Sequence, residues 1–154
     1  MEEDNFDKIA AEQAQQDVLL DKGLVFKAGK KNFYIKQPYL GTLDYLSAEY
    51  IKFDVNREKL SNEDSMVIFE EQKRMISPNA KICSRIVAIA VLNNPWKINF
   101  LTWIYAFIFR WTLTPKDLMK LTSIILRASN LQDFTSSIAL LSVNRTTAPP
   151  AIED

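Results

Sequence analysis

At 154 residues, 47% of them hydrophobic and 25% charged, the chain suits one globular domain of ordinary size and is neither disordered nor fibrous in composition. Nineteen basic residues balance nineteen acidic ones, so net charge gives no argument for nucleic acid or an anionic surface. The absence of histidine and the single cysteine, Cys83, remove the commonest general base, any internal disulfide and any zinc site of Cys/His spacing.

The N-terminal stretch "NFDKIAAEQAQQDVLLDK" uses strong helix formers and stops at Gly23, which predicts an acidic helical arm over residues 1–22. Seven acids stand there against Lys8 and Lys22, whereas residues 80–130 hold seven bases against Asp117. The arm could lie on the chain's own basic half, or that half could meet an acidic external partner. Its acidic start is unlike a signal peptide, so export is not expected.

Two short β-rich runs, Leu24 to Lys27 and Asn32 to Lys36, surround Ala28, Gly29, Lys30 and Lys31 and predict a hairpin over 24–36. Its lysines are explained most simply by turn chemistry and edge protection. The period then changes. Leu43, Leu46, Tyr50 and Phe53 predict an amphipathic helix over about 42–53 with Thr42 as N-cap, packed on the hairpin.

Two further helices are expected over 64–76 and 79–93, because Pro78 should end the first near Ser77 and Asn93, Asn94 and Pro95 should end the second. The adjacent acids Glu63 and Asp64, and Glu70 and Glu71, read as solvated surface. Thr114, Pro115 and Asp117 are a strong start signal for a helix over 115–129. Asn130 then caps a last helix over 131–143, with Leu131, Phe134, Ile138 and Leu141 on one face, making an αα-hairpin with its predecessor. Residues 144–154 are polar with two prolines and read as a disordered tail. The fold class is therefore α+β, predominantly α: an N-terminal β-hairpin followed by a helical bundle, forming one domain over 23–143.

The stretch "INFLTWIYAFIFRW", within a helix over 97–111, carries apolar side chains around most of its circumference. Fourteen residues reach only about 21 Å and are too short for a bilayer span. The residues favour a central core helix. The alternative is partial exposure at a subunit interface or partner groove, with Phe100, Trp103, Phe107 and Trp111 on one face as partner-binding anchors.

Catalytic, cofactor-binding and metal-binding constellations are not found, and no small-molecule substrate is expected. "AGKK" lacks the first glycine and the Ser/Thr of a phosphate loop. The order of elements, with "FYIKQPYLGTLDYLS" before the helical middle and "LTPKDLMKLTSIILRASNLQDFTSSIALLSV" after it, resembles the small tail assembly chaperones of long-tailed phages and prophages. The resemblance covers residues 24–143. It implies a non-enzymatic protein of the bacterial host cytoplasm that binds a long helical tape measure protein during virion assembly and is often made in a short and a longer frameshifted form. The 131–141 face could serve self-association. Two other readings stand beside this one: a membrane-associated phage or mobile-element protein with 98–111 as an interfacial helix flanked by Lys97, Arg110 and Lys116, and a nucleic-acid-binding accessory protein using the lysine hairpin.

Overall fold

A computed structural model describes Gln13, residues 22–61 and residues 64–143. Apart from Gln13, which is helical and exposed, and Lys22, the expected acidic arm lies outside the described residues, as does the 144–154 tail. In chain order the elements are β1 (Leu24–Ala28), β2 (Lys31–Ile35), α1 (Leu40–Tyr50), α2 (Arg57–Leu60), α3 (Ser65–Leu92), α4 (Pro95–Thr112), α5 (Pro115–Ala128) and α6 (Leu131–Val143). The fold is α+β and predominantly helical, with one antiparallel hairpin at its start.

The hairpin pairs Leu24 with Ile35 and Ala28 with Lys31 around a tight turn at Gly29 and Lys30. Gly29 has φ +62°, a conformation that suits a two-residue turn and that side chains resist. Strand alternation sends Leu24, Phe26, Ala28, Phe33 and Ile35 inward and leaves Val25, Lys27 and Tyr34 outward. The inward rings of Phe26 and Phe33 lie 5.6 and 4.9 Å from the ring of Phe109, which is fully buried. This edge-to-face cluster fixes the hairpin on α4.

The helix at the centre is the C-terminal part of α3. Ile82, Cys83, Ser84, Ile86, Val87, Ala88, Ile89, Ala90 and Leu92 are all buried there, and α1, α4 and α5 pack around it. The sequence favoured residues 98–111 for that position, and the structure corrects this. Small side chains such as Ser84, Ala88 and Ala90 let neighbours approach α3 from several sides, whereas a helix as rich in large aromatics as α4 fills space on one side only.

The expected break at Pro78 does not occur. One helix of 28 residues runs through it. An interior proline removes the amide bond to the carbonyl four residues back, here that of Arg74, and crowds that carbonyl. Arg74 and Pro78 are both exposed, so the disturbed turn lies on the solvent side of α3. The same turn is held from outside: Asn79 Nδ2 donates to the Asp54 carbonyl at 3.2 Å and its Oδ1 accepts from Asp54 N at 3.4 Å.

Several local expectations also change. Helix α1 starts at Leu40 with Tyr39 in the cap position and no side-chain cap bond. Thr42 lies inside the helix, buried, and donates its hydroxyl to Asn93 Oδ1 at 2.7 Å. Asn93 Oδ1 also accepts from Tyr39 N at 3.2 Å, and Nδ2 donates to the Gln37 carbonyl at 3.1 Å. With φ +40° it ends α3 and clamps the start of α1 in one residue. Accordingly α1 packs chiefly on α3 and not on the hairpin, with Leu46 fully buried between them.

Glu71 is buried, contrary to the reading of both Glu70 and Glu71 as solvated; Glu70 is exposed. Arg74 donates to the Glu71 carboxylate and, through Nη1, to Asp54 at 2.7 Å, while Lys59 Nζ stands 3.8 Å from Glu71. Asp64 is exposed, as read, and also serves as the N-cap of α3, where it accepts from Met66 N, whereas Glu63 lies outside the described residues.

After Asn93 the helices lie near their expected bounds, except that α4 starts at Pro95 and not at 97. Asn94 caps α4 by accepting from the amides of Trp96 and Lys97, and Thr114 caps α5 by accepting from Asp117 N at 3.1 Å. Asn130 has φ +47° and forms the turn before α6, its carbonyl accepting from Phe134 N, in place of the side-chain cap expected. The turn is short, yet α6 does not fold back as an αα-hairpin: among the described elements it has no extensive contact with α5 or any other, and residues 134–143 are exposed.

Candidate functional site

Helix α4 is two-faced despite its apolar composition. Ile98, Thr102, Ala106 and Phe109 are buried on its inner side. On the opposite side stand Trp96, Phe100, Trp103, Phe107 and Trp111, each between 55% and 75% exposed. At about 100° per residue these five side chains share one stripe, and at 1.5 Å per residue it is roughly 22 Å long. Trp96 stacks on Phe100, with centroids 6.5 Å apart and planes at 6°. Phe107 and Trp111 meet at 6.1 Å, and the Arg110 guanidinium lies 5.9 Å from the Phe107 centroid. The two ring pairs are i, i+4 neighbours, and Trp103 stands between them on the same stripe, forming one aromatic ridge.

The four side chains that the sequence marks as candidate anchors, Phe100, Trp103, Phe107 and Trp111, are all on this ridge. Trp96 is a fifth member that the sequence reading missed. Its signal was present, four residues before Phe100, but Pro95 and Lys97 made it look like part of the connection.

Beside the ridge is a groove of about 470 Å³ between α4, α3 and α1. Trp103 and Phe107 form one wall, and Ile89, Ile98 and Ala106 supply apolar floor. The other walls bring polar groups from distant parts of the chain: Tyr45 and Glu49 from α1, Lys81 and Arg85 from α3, Asn99 and Arg110 from α4. Tyr45 Oη donates to Asn99 Oδ1 at 3.0 Å. Buried Glu49 receives Lys52 Nζ at 2.7 Å and Arg85 Nη2 at 2.9 Å, both on Oε1, while Oε2 has no hydrogen-bond partner. Nothing in the spacing of Tyr45, Glu49, Lys81 and Arg85 foretells this assembly, because only the packing of α1 on α3 creates it.

A second apolar surface is on α6, where Phe134, Ile138 and Leu141 are exposed on one face. Phe134 borders a shallow groove of about 300 Å³ with Leu40 and Leu43 of α1.

The remaining chemistry-bearing groups are placed as follows. Cys83 is buried, its thiol pushed up by that burial, and its Sγ lies 3.6 Å from Met119 Sδ. Among the described residues no group of three or more Cys, Asp or Glu could hold a metal ion. Lys27, Lys30, Lys31 and Lys36 are exposed on the hairpin, but Phe33 faces inward to Phe109 and is not offered to a stacking base. Among the described residues α3 is long and apolar enough to cross a membrane, and half of its most apolar window is buried inside the fold. No known family, curated protein or solved structure matches the chain.

Proposed function

We propose that this protein is a non-enzymatic binding factor that holds a helical protein client on the α4 ridge, acting as a tail assembly chaperone toward a tape measure-like protein in the host cytoplasm. The observation that carries the reading is the ridge itself: five large aromatics on one exposed face, three of them tryptophan, the residue type most enriched among binding hot spots. An amphipathic client helix buries its apolar face against such a surface. The element order that resembles the chaperones of long-tailed phages supplies the choice of client.

The placement of Trp96, Trp103 and Trp111 beside Lys97 and Arg110 favours one other reading, an interfacial membrane helix, since tryptophan and basic residues suit the headgroup region.

A tagged pull-down from native host cells without detergent separates these readings. Recovery of a long helical protein supports the chaperone, and recovery only with the membrane fraction supports the interfacial helix. The double variant Trp103→Asp/Phe107→Asp should abolish client recovery while leaving the helical circular dichroism spectrum intact, because both side chains already face water. Full retention of binding by that variant would overturn the ridge as the client site.

A further inference from the structure

Resting on the protein-binding reading, we propose that the α1/α3/α4 groove selects a client helix whose apolar stripe is flanked by acidic residues. The walls of the groove are charged unevenly. Among the described residues its one carboxylate, Glu49, is already matched by Lys52 and Arg85. Lys81, from α3, and Arg110, from α4 beside the Phe107 ring, remain, and among the described residues no carboxylate forms an ion pair with either. The same groove is lined by apolar surface from Ile98, Ala106, Trp103 and Phe107. From Asn99 to Arg110 the valley is roughly 16 Å long, or about three helical turns.

An occupant that matches these features is a helix with apolar side chains at i, i+3, i+4 and i+7 facing the floor and glutamates or aspartates on the two flanks. A lipid surface fits less well. The two cations stand on the walls of a concave valley between three helices, where a planar headgroup layer does not enter, and α4 presents only its ridge to a plane.

The three tryptophans of the chain are Trp96, Trp103 and Trp111, all on the ridge, so intrinsic fluorescence reads this surface alone. Two synthetic 18-residue helical peptides with the same leucine stripe, one flanked by glutamate and the other by lysine, would be titrated into the full chain at low salt. The glutamate peptide should blue-shift the emission and bind about tenfold tighter than the lysine peptide, as expected when two exposed charge contacts change from attraction to repulsion. The preference should shrink as salt rises. Lys81→Glu/Arg110→Glu, two exposed positions, should reverse it with an unchanged circular dichroism spectrum.

Equal affinities, a lysine preference, or an emission shift with anionic phosphatidylglycerol vesicles but with neither peptide would each overturn the proposal. A concentration-dependent emission shift of the chain alone, with a dimer in sedimentation, would overturn it in favour of a second copy. The two levels fail separately. A native client whose bound segment has basic flanks overturns the charge selection and leaves the chaperone reading standing. Glutamate-peptide binding with no protein client from cells does the reverse.

Discussion

Two buried polar groups in this fold, the hydroxyl of half-buried Tyr50 and the carboxylate of Glu71, act in opposite ways. The Tyr50 hydroxyl has no hydrogen-bond partner, and burial pushes its pKa up to about 12. The nearby Ser129 hydroxyl opposes that shift but is committed to the Ile125 carbonyl at 2.7 Å, so desolvation dominates. A raised folded-state pKa means stability that is complete below the unfolded value near 10 and lost as pH rises toward 12. Tyr50→Phe should remove that alkaline loss and raise stability at neutral pH by about 1 kcal/mol, read by denaturant melts, because it deletes an unsatisfied buried group. Glu71 behaves differently. The Arg74 guanidinium bonds its carboxylate and holds it below the usual carboxylate range, against the opposing effect of burial. Stability from Glu71 is therefore present above the ordinary carboxylate value, near 4, and lost as pH falls through the lowered one. Arg74→Ala should lower the melting temperature at pH 7 and flatten its dependence on pH below about 4. None of this is legible in the sequence, where Glu70 and Glu71 are indistinguishable neighbours and only the folded position of α3 separates them.

Element boundaries are legible where a cap decides them and obscure where tertiary packing does. Thr114 and Pro115 mark the start of α5 because each satisfies an orphan amide, or needs none, within three residues of itself; Asn94 and Pro95 do the same for α4, but in the sequence they read only as the stop of the preceding helix. Thr42 offers the same chemistry, but Asn93, 51 residues away, claims its hydroxyl. Pro78 is the sharpest case. Its ring opposes a helix locally, yet the Asn79–Asp54 pair and the buried run after it keep α3 continuous. Pro78→Ala should thus stabilise the protein, on the order of 1–3 kcal/mol, by restoring the lost amide bond without changing the fold. Asn93→Ala should destabilise it by a similar amount, since three hydrogen bonds and a left-handed backbone position depend on one side chain; both effects can be measured by thermal melts.

For the whole molecule, the hairpin and the helical layer meet at Phe109, where Phe26, Phe33 and Tyr105 converge. Phe109→Ala should cost about 3–5 kcal/mol in denaturant melts, far more than any single ridge substitution. The α+β class and the hairpin followed by helices are readable from period and turn residues. The facing of α4 is not: a helix with apolar residues all round does not declare which side is covered, and the covering pieces come from α3 and the hairpin. Helix α3 then carries a consequence in time as well as in space. Before Pro78, the only buried residue of α3 is Glu71; from Ile82 onward nearly every residue is enclosed. Amide hydrogen exchange should therefore divide this one helix into two kinetic segments, the amides between residues 69 and 77 exchanging through local fraying and those from Ile82 to Leu92 only when the whole domain opens.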